Sequence, residues 1–261
     1  MNTKEISLEE MKQIEVDILV RIDSFCKDNN LSYALGYGTL IGAVRHQGFI
    51  PWDDDIDIFM PRPDYDRFIQ TFQDPIYKLL CMEHGNYYRT YAKVYDARTI
   101  IVNTNNKDMG VFVDVIPIDG LPAKEKEARH FLRKMVKMRR WMYKIIDTCV
   151  YGKKQGVVRL LFFHLVGFFC PVPKMMSLYV SHSKKFHFNE SIYVAGFAVG
   201  TEKWLFKREY VEGTTRLLFE GHTFSAPLNY DKFLRAVYGD YMKLPPQEER
   251  VPKHSYHAFW K

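Results

Sequence analysis

One short segment, residues 38–60, constrains the fold of this chain more than any other. Its letters run GTLIGAVRHQGFIPWDDDIDIFM. Four aspartates stand at its centre: Asp53, Asp54, Asp55 and Asp57. The final letters, IDIFM, alternate as a half-buried strand does. Because side chains two apart on a strand point to the same face, we predict that Asp55 and Asp57 project together and that the isoleucines beside them are buried opposite.

Neighbouring carboxylates in a half-buried strand repel each other and are unfavourable there. A bound divalent cation removes that penalty. Mg²⁺ (or Mn²⁺) fits, because such ions take oxygen ligands, keep several waters and accept one or two carboxylates together with substrate phosphates. The alternative is an exposed acidic turn before an edge strand. The rigid entry at Pro51 and Trp52 and the apolar character of the strand favour the metal site.

A Gly-Thr pair, Gly38 and Thr39, lies between a predicted strand over 32–35 and a predicted short helix over 39–46. A glycine at such a turn lets backbone amides approach a phosphate closely. The helix that follows presents the positive end of its dipole to the same place. The turn therefore predicts a phosphate-binding position.

A third carboxylate completes the predicted metal set. Asp114 stands in VFVDVI, an otherwise apolar run at 111–116. A lone acid within such a strand must pair or bind a metal. Asp119 follows in a D-G dipeptide, which is typical of a turn. We predict that Asp114 belongs to the site and that Asp119 lies outside it.

The periodicity along the chain predicts an α+β fold with a mixed, mostly antiparallel sheet. The predicted helices cover 7–26, 39–46, 64–72, 123–150, 174–186 and 229–238, and the first opens on a capping box of Ser7 and Glu10. We expect three parts. Residues 1–122 form the catalytic core, 123–190 a helical insertion, and 191–261 the strands, helix and tail that complete the same globular unit. Three prolines predict that the tail is extended over the surface.

The helical insertion combines positive charge with aromatic side chains. The segment from Lys124 to Arg159 contains twelve Lys or Arg and three acids. This local excess of nine positive charges exceeds the net charge of +6 for the whole chain. Residues 160–170, LLFFHLVGFFC, are too few to cross a bilayer, which needs about 20. We predict peripheral membrane contact through 124–174. The alternative is a helical hairpin in the core. The rings expected at the membrane are Phe162, Phe163, Phe168 and Phe169.

Cysteine spacing and the N-terminal residues bear on the cellular setting. The four cysteines are far apart and form no CxxC pair, which argues against zinc and favours a reduced compartment. The opening letters, MNTKEISLEEMK, lack the apolar core of a signal peptide. We expect a cytoplasmic protein, peripheral at the inner face of the cell membrane. No nucleic-acid motif accompanies the basic segment, so we predict no nucleic-acid partner.

The motifs as a set resemble the nucleotidyltransferase fold superfamily. More closely, GTLIGAVRHQGFIPWDDDID resembles the LicD family of phosphocholine transferases, whose core fukutin and fukutin-related protein share. Further segments resemble LicD segments in the same order: KVYDARTIIV at 93–102, DVIPIDGLP at 114–122, LFEGHTFSAP at 218–227 and YGDYMKLPPQEER at 238–250. The chain lacks the cysteine-rich insertion of the fukutin-related branch, which favours a bacterial-type member.

This resemblance implies a nucleotidyltransferase-like core that moves a phospho-alcohol from a CDP-activated donor to a sugar hydroxyl and releases CMP. The expected case is phosphocholine from CDP-choline, transferred to a lipid-linked glycan acceptor such as a lipopolysaccharide or teichoic acid precursor. Carried over residue by residue, Asp55, Asp57 and Asp114 are the metal-binding and catalytic carboxylates, and Asp53 supports their loop.

Other residues are expected to contact substrate. Arg45 and Lys93 are candidates for stabilising the leaving CMP, and for each a surface salt bridge is the alternative. The predicted substrate-binding set is Gly38, Thr39, Arg45, Trp52, Asp53 and Lys93. Aromatic rings favour quaternary ammonium groups such as choline. The candidate rings are Tyr37, Trp52, Tyr256 and Trp260.

Two other functions stay open at this point. In the first, the same catalytic residues transfer a different group: ribitol phosphate, glycerol phosphate or a nucleotidyl group. The other is a silent binding protein in a glycan-assembly complex, which the intact set of Asp55, Asp57 and Asp114 disfavours.

Overall fold

The computed structural model of the protein describes residues 4–85, 87–102, 109–153, 156–201, 204–252 and 256–261. The α-helices in these ranges are α1 (Leu8–Asp28), α2 (Tyr37–His46), α3 (Arg62–Thr71), α4 (Glu125–Cys149), α5 (Val157–Phe169), α6 (Val172–Ser183) and α7 (Tyr230–Tyr238). The strands are β1 (Glu5–Ile6), β2 (Ala34–Leu35), β3 (Asp57–Pro61), β4 (Tyr77–Leu80), β5 (Ala92–Asp96), β6 (Thr99–Val102), β7 (Phe112–Gly120), β8 (Tyr193–Ala195), β9 (Phe206–Lys207), β10 (Thr214–Phe219), β11 (His222–Pro227) and β12 (His257–Trp260).

The largest sheet places the two strands with predicted metal ligands side by side. Its order is β2-β3-β7-β5-β4, and β8 and β9 extend it from the end of β7. Strands β3 and β7 run parallel, whereas the other pairs in this sheet are antiparallel. The prediction of a mixed α/β fold is therefore confirmed.

Local signals in the first third of the chain are also confirmed. Ser7 caps α1, and the reciprocal contacts of its capping box with Glu10 are both present. At the start of β3, Ile58 and the preceding Ile56 are fully buried, as the alternation predicts. The strand itself begins at Asp57. Asp55 thus lies in the segment just before the strand, a correction to its predicted place within it.

Asp119 does not lie in a turn. Strand β7 continues through Gly120, so Asp119 is part of the strand and 1% exposed. Its two carboxylate oxygens accept hydrogen bonds from Arg62 at 2.6 and 2.9 Å. A buried carboxylate needs such a cationic partner. The D-G dipeptide gave no indication of it, because Arg62 is 57 residues away in the chain.

The prediction that the tail is extended over the surface is wrong for its last residues. Strand β12 pairs with β6 along one edge and with β1 along the other, which makes a three-stranded antiparallel sheet. Ala258 is fully buried there. The prolines that suggested an unpaired tail lie upstream of this strand, where they do not interrupt its hydrogen bonds.

Helices α4 and α6 enclose a second apolar cluster beside the sheet. It joins the inner face of α4, represented by Leu132 and Met135, to Met176 and Tyr179 of α6 and to Phe197. Within the part of the chain that the structure describes, no single helix is long and apolar enough to cross a bilayer. One bent pair, Leu160–Phe169 with Val172–Glu190, passes that length and composition test jointly, with an angle of 74° between its two helices.

Candidate active site

The registers of three neighbouring strands bring Asp57, Lys93 and Asp114 together. Asp57 on β3 lies opposite Asp114 on β7, and Lys93 on β5 lies opposite Asp114 on its other side. Lys93 Nζ forms an ion pair with Asp114 Oδ1, and Lys93 is only 8% exposed. Its Nζ also lies 3.3 Å from the centre of the Phe112 ring. Lys93 is thus a buried partner of a predicted metal ligand, and the alternative of a surface salt bridge is wrong.

The three-aspartate segment closes a turn next to these strands. The amide of Asp53 donates to the carbonyl of Ile50 at 2.8 Å. Asp53 and Asp54 are buried, and Asp55 is partly exposed. One carboxylate oxygen from each of the three lies within 4.8 Å of the others. Oxygen ligands gathered in this way suit a divalent cation such as Mg²⁺.

Gly38 and Thr39 join helix α2 to these carboxylates. A Cβ atom on Gly38 would lie 2.5 Å from Oδ2 of Asp53, so a side chain at position 38 would displace that carboxylate. The Thr39 hydroxyl accepts a hydrogen bond from the amide of Asp57 at 2.8 Å. Both residues therefore position the acidic cluster. Their contact with a phosphate stays a prediction.

A pocket of about 210 Å³ opens onto the cluster. Three of its lining residues are acids: Asp53, Asp55 and Asp57. Four are aromatic: Tyr37, Trp52, Trp204 and Tyr238. Tyr37 stacks on Trp204 with ring centres 4.8 Å apart and planes inclined by 20°. Among the described residues, the buried hydroxyl of Tyr37 has no hydrogen-bond partner.

Negative charge exceeds positive charge around this pocket. Burial, then Asp55 and Asp114, raise the pKa of Asp57 well above its usual range, and Lys93 offsets this only in part. A carboxylate with a raised pKa is destabilised in its charged form, and a divalent cation relieves that repulsion as protonation does. The residues present therefore fit a divalent metal ion.

A further acid approaches the cluster from α1. Glu15 is 4% exposed, and its Oε2 has no hydrogen-bond partner among the described residues. Burial raises the pKa of Glu15, and Asp55 and Asp54 raise it further. Sequence reasoning missed this residue. The available signal was a lone acid on the buried stripe of α1, next to Ile14 and one helical turn after Met11.

Arg45 lies beside the C-terminal segment and is not among the residues that line the pocket. Its guanidinium donates to the carbonyl of Tyr241 at 2.9 Å. Burial and the charge of Arg250 lower the pKa of Arg45, so the two arginines are neighbours. Arg250, another residue that sequence reasoning missed, lies 5.7 Å from the ring centre of Trp52 in the pocket wall.

The candidate rings divide into two groups. Tyr37 and Trp52 line the pocket, as predicted for substrate-contacting rings. Tyr256 packs edge-on against Phe112 at 5.8 Å, and Trp260 lies on β12 near Arg98, so neither lines the pocket. The structure brings in Trp204 and Tyr238 instead. Their positions in the last third of the chain gave no signal, because aromatic residues are common in any core.

Comparison with known proteins places these residues in a family. The family model described as "LicD/FKTN/FKRP, nucleotidyltransferase domain" matches residues 30–155, which include Asp53, Asp55, Asp57, Lys93 and Asp114. The "Lipopolysaccharide cholinephosphotransferase LicD" of Haemophilus influenzae is 31% identical over 265 residues, which span 98% of this chain and 99% of that protein.

Two other relatives match over shorter stretches. An uncharacterized protein of Rickettsia prowazekii is 58% identical over 36 residues, which are 14% of each chain. The "Mannosyltransferase regulator 4" of Saccharomyces cerevisiae is 28% identical over 138 residues, which are 49% of this chain and 11% of that protein. The end-to-end match to the Haemophilus protein, together with a family match over the strands that carry the acidic pocket, shows that this chain belongs to the LicD family.

Proposed function

We propose that this protein transfers phosphocholine from CDP-choline to a sugar hydroxyl of a lipid-linked surface-glycan precursor and releases CMP. The observation that carries the proposal is the pocket in which acids and aromatic rings face one space of about 210 Å³. The Haemophilus relative, named as a lipopolysaccharide cholinephosphotransferase and aligned over nearly its whole length, supports it. We further propose that β3, β7 and the helices around them form a nucleotidyltransferase-like core.

The proposed metal ligands are Asp55, Asp57 and Asp114, with Mg²⁺ (or Mn²⁺) as the ion. When bound, such an ion neutralises the charge of the donor diphosphate and polarises it for displacement. Asp53 supports the loop, because Gly38 lets its carboxylate approach the first turn of α2. In phosphoryl transfer the protein contributes mainly by positioning the reacting groups and neutralising their charge. Ligands on adjacent parallel strands supply the positioning.

Lys93 and Asp114 act on the reacting groups as a pair. The ammonium of Lys93 adds fixed positive charge beside the carboxylates and helps to hold the diphosphate. Asp114 is the candidate to accept the proton of the attacking sugar hydroxyl, because it stands in the strand next to Asp57. Arg250, near Trp52, and its neighbour Arg45 offer positive charge to the leaving CMP.

The aromatic residues favour choline over the other cargoes. A quaternary ammonium is attracted to ring faces, and the effect reaches about 2 kcal/mol when the site is dry. Trp52, Trp204 and Tyr238 line the same pocket as the acids. Ribitol and glycerol carry no charge and gain nothing comparable from these rings. We therefore rank phosphocholine above ribitol phosphate and glycerol phosphate.

The test is CMP release from a panel of CDP-choline, CDP-ribitol and CDP-glycerol, with Mg²⁺ and lipid-linked glycan. We expect release from CDP-choline. Trp204→Leu should raise KM for CDP-choline by about threefold to tenfold, since it removes one cation–π contact. Trp204→Phe keeps a ring face and should recover most of that loss. If another donor is turned over preferentially, its phospho-alcohol replaces phosphocholine as the proposed transferred group. If no donor yields CMP, the result favours a silent binding protein.

A further inference from the structure

Helix α5 exposes six large apolar side chains among its described residues. Exposures of 50–79% are found at Val157, Leu161, Phe162, Leu165, Phe168 and Phe169. Phe163 and Gly167 lie on the side of the helix that contacts α4. Phe163 is 4% exposed and meets the Trp141 ring edge-on at 6.2 Å, and Gly167 lies against Cys149. A contiguous apolar surface of this size is rare on a protein that meets only water and marks an interaction site.

The structure corrects one part of the sequence prediction for this helix. Of the four phenylalanines expected at the membrane, Phe162, Phe168 and Phe169 are exposed, whereas Phe163 is buried. The apolar run therefore has both predicted roles. Phe163 anchors the helix in the core, and the other three rings face outward.

Positive charge lies next to this apolar face. Helix α4 buries its apolar side and exposes all but one of its basic residues: Lys126, Arg129, Arg133, Lys134, Lys137, Arg140 and Lys144. Lys144 Nζ lies 5.5 Å from the ring centre of Trp141, which is itself 55% exposed. Rings at the surface and cations beside them are the combination that interfacial helices present to anionic lipid.

A cleft of about 600 Å³ lies in the same region, on α4 and α6. Cationic or polar lining comes from His130, Arg133, Lys134 and Lys137. Apolar lining comes from Met138, Trp141, Met142, Ile145, Met175 and Tyr179. A site with a cluster of cations and apolar walls complements an amphiphile that carries a negative head and an apolar chain. A purely polar polyanion would contact the cations of this cleft but would gain nothing from its apolar walls.

The cleft and the active-site pocket are connected through one segment of chain. Tyr179, in the cleft wall, donates from its hydroxyl to the carbonyl of Phe197 at 3.2 Å. Arg139, buried on α4, donates to the same carbonyl and to that of Gly200 at 2.8 Å. Val199, between those two residues, lines the acidic pocket. The helices that form the cleft therefore also hold one wall of the pocket.

We propose that α4, α5 and α6 form a docking surface for an anionic phospholipid bilayer, and that the cleft binds the head-group phosphate and upper acyl chain of one lipid. The exposed side of α5 enters the acyl boundary. At 13 residues, α5 is roughly 20 Å long and does not span the apolar core of about 30 Å, so it lies in the interface plane. This inference does not depend on the transfer chemistry proposed above.

The test is co-sedimentation of the full-length protein with vesicles of phosphatidylglycerol and phosphatidylcholine, compared with phosphatidylcholine alone. We expect at least tenfold stronger partition onto the anionic vesicles at low salt, falling as salt rises, because nearby cations each contribute to binding. Acyl chains brominated near the head group should quench wild-type fluorescence more than that of Trp141→Phe. Equal partition onto both vesicle types would overturn the proposal, as would retention on single-stranded RNA without any sedimentation.

Paired variants separate the cleft from general charge. Lys134→Ala with Lys137→Ala should reduce partition about tenfold or more, because both cations line the cleft. Lys124→Ala with Lys126→Ala removes the same charge at the N-terminal end of α4, outside the cleft, and should have a clearly smaller effect. Equal losses in the two pairs would rule out the cleft as the lipid site.

A second comparison tests the apolar face. Phe168→Ser with Phe169→Ser should weaken partition while the thermal midpoint stays near that of the wild type, since both rings are at least 74% exposed. Leu228→Ser with Met242→Ser, two exposed apolar residues elsewhere, should leave partition unchanged. Unfolding of the α5 pair or unchanged partition would contradict the proposed role of α5.

Discussion

Asp57→Asn should lower turnover at saturating Mg²⁺ by at least about a hundredfold, because it removes a ligand of the ion that neutralises the donor diphosphate. Asp55→Asn should behave alike. Steady-state CMP release measures both. Asp17→Asn is the matched control, since it makes the same chemical change on the exposed side of α1. Near-normal turnover of Asp57→Asn at saturating Mg²⁺ would contradict its assignment as a metal ligand.

The same variant should gain stability when metal is absent. Burial, Asp55 and Asp114 raise the pKa of Asp57, so folding disfavours its charged form. A carboxyl with a raised folded pKa contributes its full stability below its unfolded pKa and loses that contribution as pH rises through the folded pKa. At neutral pH with chelator, Asp57→Asn should therefore melt above the wild type. The difference should vanish at acid pH, and a lower melting point at neutral pH would contradict the electrostatic account.

Lys93→Met should lower the free energy of unfolding by about 3–5 kcal/mol and abolish transfer, because it leaves Asp114 without the buried cation that pairs with it. Urea unfolding in the presence of chelator measures the first effect, and CMP release measures the second. Lys78→Met, an exposed lysine on the neighbouring strand β4, is the control.

The double variant Lys93→Met with Asp114→Asn separates the two roles of the pair. Removing both charges together should restore much of the stability, because no uncompensated charge is left buried at these positions. Activity should stay lost, since a metal ligand is still missing. A double variant as unstable as Lys93→Met alone would mean that the lysine contributes mainly through packing against Phe112.

Alternation along the strands was enough to predict in outline where acidic side chains cluster. Asp57 and Asp114 stood out because each interrupts an apolar strand, and an acid at such a place needs a partner. Their adjacency was not predictable from pattern alone. It depends on the parallel pairing of β3 with β7, which joins residues 57 positions apart in the chain.

The pairing of Asp114 with Lys93 shows why the balance of charge in the site could not be predicted from the sequence. The apolar run around Asp114 indicated only that this acid must pair or bind a metal. The antiparallel register of β5 and β7 sets Lys93 beside it. Asp119 is a similar case, because its partner Arg62 is also distant in the chain. Both partners are distant in the chain, where no local pattern records them.

Aromatic residues were the least predictable part of the pocket. Tyr37 and Trp52 belong to the motif that carries the acids, and both line the pocket. Trp204 and Tyr238 come from segments with no chemical signal of their own. They reach the pocket through tertiary packing, and Trp204 does so by stacking on Tyr37. Sequence spacing therefore identifies the charged residues of a pocket more readily than the aromatic residues that form its walls.

The most direct test of the acidic pocket as a metal-dependent donor site is thermal protection by CDP-choline, measured with Mg²⁺ and with chelator, for the wild type and for Asp57→Asn. We predict that CDP-choline raises the melting temperature of the wild type only when Mg²⁺ is present, because the ion joins the diphosphate to the carboxylates. Asp57→Asn should show little protection in either condition. Equal protection of the wild type with Mg²⁺ and with chelator would contradict the central claim.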